Sequence, residues 1–148
     1  MKISKKPRAD GQLTGMAGEF LTLGQLFKRG YQASVTFGTA KAIDLFVHNP
    51  TTERNFNVQV KTLRAKNCFL MDKEALRPDH VYVFVLLNAV EVQEEYFIVP
   101  GHEMLGDIHH FFGTSYKDMN NPSLMPAVNY GPLKAYKNNW KVFDLPPT

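Results

Sequence analysis

The sequence predicts a mixed α/β domain in which a helix leads into a sheet. Three observations carry that expectation. Residues 15–28 repeat apolar side chains at helical spacing, the segments between 31 and 62 switch to a period of two, and residues 81–87 are almost wholly apolar. A helix, then several strands, then mixed elements is the pattern of α+β or mixed α/β architectures. At 148 residues the chain has the size of one domain. Residues 1–148 are therefore expected to form a single domain. Residues 1–12 read as a basic N-terminal arm, 13–100 as the core, and 101–148 as a loop-rich C-terminal part packed on that core.

Taken in order, Thr14 is a suitable N-cap for a helix over Gly15 to Lys28. Met16, Phe20, Leu23 and Phe27 recur three or four apart, as do Ala17, Leu21 and Gly24, which predicts a broad apolar face. Lys28-Arg29 followed by Gly30 is a helix stop signal. Tyr31 to Phe37 is rich in aromatic and β-branched residues and reads as a strand. After a Gly38-Thr39 turn, Lys41 to His48 alternates Ile43, Leu45 and Val47 against Ala42, Asp44, Phe46 and His48. Asn49-Pro50 marks a turn, and Asn55 to Thr62 alternates again. The apolar run Val81 to Leu87 suits a strand buried on both faces. Tyr96 to Val99 reads as a further strand, stopped by Pro100-Gly101. Beyond it, short helices are expected near 101–105 and 132–138, with a closing strand over Trp140 to Leu145.

Composition bounds the function. Hydrophobic residues make up 44% and charged residues 21%, enough apolar matter for a core and too little charge for a disordered tail. The longest apolar run is far short of the roughly 20 residues a bilayer span needs. A secretory signal is not expected, because no apolar stretch follows the basic N-terminus. One cysteine, Cys68, allows neither an intrachain disulfide nor a cysteine-based zinc site, and it is expected to be a small buried residue. The expectation is a soluble, cytoplasmic protein that does not enter a membrane. A net charge of +3 permits a polyanionic partner without demanding one. Basic residues gather before residue 42 (Lys2, Lys5, Lys6, Arg8, Lys41), at Lys61, Arg64 and Lys66, and at Lys134, Lys137 and Lys141.

The polar residues inside the middle strands carry the chemistry. If residues 49–54 form the loop of a hairpin and His48 pairs with Asn55, then Asp44 falls opposite Gln59 and Ala42 opposite Lys61. Directly opposed residues share a face of the sheet, so Asp44, Gln59 and Lys61 gather on one face, and the aliphatic residues take the other. Asp is depleted in strands, yet Asp44 interrupts Ala42-Ile43-Asp44-Leu45-Phe46-Val47. A carboxylate, an amide oxygen and an ammonium grouped in this way suit a hard cation beside an anionic substrate. The solvent face of an ordinary amphipathic hairpin would show the same alternation. His102, His109 and His110, with Glu103 and Asp107 nearby, form a weaker candidate cluster that lacks any zinc-binding spacing.

Asp44, followed fifteen residues later by Gln59-Val60-Lys61, resembles the core motif of the PD-(D/E)XK nuclease superfamily. Gly18-Glu19 in the first helix resembles the acidic position that many members carry there. The pattern over residues 15–62 is closest to the Holliday junction resolvase and intron homing endonuclease branch, with Gln59 in place of the usual Asp or Glu. The resemblance implies a restriction-endonuclease-like αβββαβ core in a three-layer sandwich. It implies metal-dependent hydrolysis of DNA, with Glu19, Asp44, Gln59 and Lys61 as catalytic residues. Asp44, Gln59, the carbonyl of Val60 and Glu19 would be ligands to Mg²⁺ or Mn²⁺. Lys41, Arg64 and Lys66 would contact DNA, and a homodimer would supply two active sites for two strands. Glutamine is a weaker ligand than a carboxylate, so a catalytically inactive nuclease-fold module that binds nucleic acid or a protein partner is the alternative.

Overall fold

The computed structural model describes residues 9–37, 42–113 and 126–145. The chain opens with helix α1 (Ala9–Lys28). It begins upstream of the expected Thr14 cap, and Thr14 lies inside it. Gly30 ends the helix as expected. Its φ of 91° is open to glycine, and it turns the chain so that Tyr31 N donates to Leu26 O at 3.0 Å.

Strands β1 (Gln32–Val35), β2 (Leu45–His48) and β3 (Asn55–Leu63) follow. After β4 (Phe69–Leu70) come β5 (His80–Leu86) and β6 (Glu95–Pro100). The main sheet has the order β1-β2-β3-β5-β6. All neighbours are antiparallel except β3 and β5, which are parallel. A parallel pair needs a crossover, and here it runs from β3 through β4 and one 3₁₀ turn (Lys73–Ala75). That turn stands where the αβββαβ order would place a helix. The chain then forms short helices α2 (Gly101–Gly106) and α3 (Ile108–Phe112), strand β7 (Ala127–Val128), and α4 (Tyr130–Leu133). β4 and β7 pair as a second, two-stranded sheet, an element with no signal in strands this short. Residues 140–144 form a 3₁₀ helix instead of the expected closing strand. In such a turn residues three apart eclipse, so Trp140 and Phe143 both reach the core, where alternation would have separated them. Phe143 meets Phe56 edge-on at 5.1 Å, and Trp140 lies 5.4 Å from Tyr96.

The hairpin register is the expected one. His48 pairs with Asn55 and Leu45 with Val58. Asn49 anchors the loop: its side-chain oxygen accepts from Thr51 N at 2.9 Å, and its amide donates to Phe143 O at 2.9 Å.

Two cores sandwich the sheet. On one face, Leu45, Val47, Val58, Val60, Val83 and Ile98 pack against Leu26 of α1 and against Trp140 and Phe143. On the other, Tyr82, Phe84, Leu86, Phe97 and Val99 pack against Phe69, Met104, Phe111 and Leu133. β5 is buried along its whole length, as an apolar run predicts. The second core covers only the β5–β6 half of its face. On the β1–β2–β3 half, Gln32, Ser34, Phe46 and Asn55 are exposed. Helix α1 turns Ala17, Leu21 and Leu26 inward. Met16, Phe20 and Phe27, expected on the same broad face, are each about half exposed.

Candidate active site

β2 is shorter than the sequence suggests. Its ladder with β3 ends at Leu45↔Val58, and Asp44 sits in a bend one residue ahead. The backbone there is still held from both sides. Asp44 N donates to Val58 O at 2.9 Å, and Thr36 N donates to Asp44 O at 3.0 Å. The Thr36 hydroxyl adds a hydrogen bond to Ile43 O. So fixed, the Asp44 carboxylate takes over where the ladder stops: its Oδ2 accepts from Val60 N at 2.8 Å. Val60 is the residue between Gln59 and Lys61. In a strand, the N–H and C=O of one residue leave on the same side. The Val60 carbonyl therefore points into the gap that β2 has vacated, beside the carboxylate.

Gln59 pairs in register with Tyr82, and Lys61 with Phe84. Both side chains therefore share the face of the second core, at its uncovered half, and both are half-buried. Gln59 Nε2 lies 3.4 Å from Nδ1 of His80. His80, 8% exposed at the start of β5, escapes a sequence reading. Its one signal is a polar residue directly before a wholly apolar run.

Glu19 approaches from the helix layer and is half-buried. The reason is Gly18. A Cβ at Gly18 would overlap the Thr62 hydroxyl and lie 2.8 Å from Thr62 Cβ. Glycine thus lets α1 touch β3 at Thr62, one residue beyond Lys61, and sets Glu19 next to that contact. α1 covers the face of the sheet opposite to Gln59 and Lys61.

Two of the three basic residues expected on DNA, Arg64 and Lys66, have partners within the chain. Arg64 Nε donates to Thr14 Oγ1 at 2.8 Å. Lys66 Nζ sits 4.6 Å from the centre of the Tyr130 ring, and Lys134 stacks on the same ring at 5.6 Å. Lys137 pairs with Glu95 at 3.0 Å. That hydrogen bond holds the Glu95 carboxyl below its ordinary range. Lys41 and most of the basic arm lie outside the described residues. Cys68 is half-buried.

Among the described residues, no three His, Cys, Asp or Glu side chains group as metal ligands, the histidine-rich segment 102–110 included. A site at Asp44 would have at most two carboxylates, its own and that of Glu19, with oxygens from Gln59 and Val60. That donor set fits magnesium, which takes oxygen ligands, keeps several waters and usually needs one or two carboxylates.

No family model matches the chain, and no curated protein matches it by sequence. Among solved structures, it is similar to a bacterial homing endonuclease, I-Ssp6803I, with a TM-score of 0.58 at 12% identity, over 90% of this chain and 91% of that one. The chain therefore has an endonuclease-like mixed α/β fold along almost its entire length. No helix among the described residues is long and apolar enough to cross a membrane.

Proposed function

We propose that this protein is a metal-dependent DNA endonuclease of the PD-(D/E)XK type. The observation that supports this best is the Asp44 carboxylate docked on Val60 N at the end of β2. It puts the one aspartate of the motif beside Gln59-Val60-Lys61, by a mechanism that an ordinary solvent-facing hairpin does not need. In this reading Asp44, Gln59 through its side-chain oxygen, the Val60 carbonyl and Glu19 hold Mg²⁺ or Mn²⁺. The ion supplies a Lewis acid for the scissile phosphate. Lys61 orients the attacking water and meets the charge that develops on the phosphate oxygens, a contribution of about 2.7–4 kcal/mol for donors of this type. Val60 N–H holds the Asp44 carboxylate in place, so the ligand is oriented before DNA arrives. Lys41, Arg64 and Lys66 contact backbone phosphates, which position the duplex without reading its sequence. Arg64 and Lys66 would exchange their contacts with Thr14 and Tyr130 for phosphate.

One observation favours a second reading, a nuclease-fold module that binds nucleic acid without cutting. Gln59 replaces a carboxylate, and its amide nitrogen approaches His80. The test is cleavage of plasmid, nicked and branched DNA with Mg²⁺ or Mn²⁺, comparing wild type with Asp44→Asn. Cleavage that needs metal and Asp44 is expected. Binding with no metal-dependent cleavage on any substrate would leave the second reading in place.

A further inference from the structure

Three lysines gather in the sequence at Lys134, Lys137 and Lys141, and the fold separates the last from the other two. Lys141 belongs to the 3₁₀ turn whose Trp140 and Phe143 enter the first core, on the face of the sheet opposite to Gln59 and Lys61. Lys137 stands on the other face. Its backbone bridges Phe97 at the outer edge of β6. Phe97 in turn pairs with Phe84, and Phe84 with Lys61. Directly opposed residues share a face. Lys61, Phe84, Phe97 and Lys137 therefore form one row across the sheet, with Lys137 three strand spacings, about 14 Å, from Lys61.

Tyr130 lies on this row, edge-on to Phe97 at 5.6 Å, and its ring draws two more lysines to the same place. Lys66 Nζ, from the segment after β3, is 4.6 Å from the ring centre, and Lys134 Nζ, from the 3₁₀ turn Lys134–Tyr136, is 5.6 Å away. All three lysines are exposed. Lys137 holds the Glu95 carboxyl below its ordinary range, and Lys66 is close enough to add to that effect. The three ammonium groups thus belong to one patch. Two carboxylates border it, and both are engaged: Glu95 with Lys137 at 3.0 Å, and Glu103 with the Tyr136 hydroxyl. Ammonium groups gathered at one ring are attracted by its face but repel one another, and a phosphate between them would relieve that repulsion.

We infer that Lys66, Lys134 and Lys137 form a phosphate-binding patch, separate from the cleavage site, that grips the backbone of the same DNA duplex. The inference rests on the DNA reading above but not on the cleavage chemistry. Each phosphate of one strand advances about 3.4 Å along the duplex axis. A patch about 14 Å from Lys61 meets the backbone about four nucleotides from the phosphate that Lys61 would contact. Contacts of this kind fix the register of the duplex without reading its sequence.

Fluorescence anisotropy of a labelled duplex of about 30 base pairs, titrated with the full chain at about 50 to 200 mM salt, tests this. EDTA keeps the strands uncut. Lys134→Gln and Lys137→Gln should each reduce the slope of log K against log salt by about 0.9, and the double variant by about 1.8. Lys141→Gln makes the same change of charge on the other face and should leave the wild-type slope. Circular dichroism should show an intact fold in all of them. A double variant with the wild-type slope would overturn the inference and leave the DNA reading standing. The same holds if Lys141→Gln flattens the slope as much as the other two changes. A wild type that binds no duplex would overturn both. If the patch variants flatten the slope while no metal-dependent cleavage is found, the patch stands and only the cleavage chemistry falls.

Discussion

Replacing Gly18 by alanine tests how α1 is seated on the sheet. The added methyl would overlap Thr62 Oγ1 and come within 2.8 Å of Thr62 Cβ and Cγ2, where 3.4 Å is the near limit of ordinary contact. The hydroxyl can rotate away, but Thr62 Cβ is fixed to the strand backbone. Helix and strand must therefore part by about 0.6 Å at this point. Overpacking of this kind costs about 1–3 kcal/mol, offset by up to about 1 kcal/mol of helix propensity. The net expectation is a loss of about 0.5–2 kcal/mol. Gly15, one turn away on the same helix, is the control: among the described residues a Cβ there meets nothing within 4 Å. Gly15→Ala should stabilise by about 0.5–1 kcal/mol. Urea denaturation of both variants reads the difference. In thermal melts each kcal/mol corresponds to about 2–4 °C for a chain of this size. If Gly18→Ala proves as stable as wild type, or shifts the same way as Gly15→Ala, the close approach at Thr62 is not what seats the helix. If the cleavage reading holds, the same variant should lose activity beyond its loss of stability, because it moves Glu19 relative to Lys61.

Further outcomes follow from the same structure. Asp44→Asn keeps an acceptor for Val60 N and should fold like wild type, whereas Asp44→Ala leaves that N–H unpartnered and should cost about 1–3 kcal/mol in denaturant titrations; both should lack metal-dependent cleavage. Lys61→Ala should slow cleavage by about 10²–10³ without lowering the denaturation midpoint by a comparable amount. Tyr31 is pushed up to about 12 by burial and by its hydrogen bond to Asp144, and Tyr96 is pushed up to about 12 by burial. Because the unfolded tyrosines ionise near 10, the stability these phenols contribute is complete below that pH and is lost as pH rises toward 12. Tyr31→Phe should flatten the alkaline limb of the stability profile, and an unchanged limb would contradict the assignment. Thr22 Oγ1 is buried with no hydrogen-bond partner among the described residues, so Thr22→Val, of the same shape, should raise the denaturation midpoint by the equivalent of about 1 kcal/mol.

Local chemistry made several features of this protein legible from its residues alone. The Gly30 stop was readable because a positive φ at a helix end favours glycine. The hairpin register from Leu45↔Val58 to His48↔Asn55 was readable because a slip of one residue would expose one whole aliphatic face. β5 was readable because a strand buried on both sides must be apolar throughout. The nearness of Asp44 to Val60 followed from that register, while the roles of Gln59 and Lys61 rest on the resemblance of the motif. Other features depended on parts of the chain distant in sequence. Nothing near Asp44 says that β2 begins only one residue later, at Leu45, and that the carboxylate then caps Val60. Trp140 to Leu145 reads as a strand, but a 3₁₀ turn over 140–144 is what brings both Trp140 and Phe143 onto Tyr96, Phe56 and Tyr31. Periodicity gave α1 one broad apolar face, and only the sheet decided which part of it is buried: Ala17, Leu21 and Leu26 meet β-strand side chains, while Leu13, Met16, Phe20 and Phe27 are left outward. Hydrophobic spacing records that a helix has an apolar side. Which side meets the core depends on where a close approach such as Gly18 on Thr62 is sterically allowed, and that is a property of two elements together.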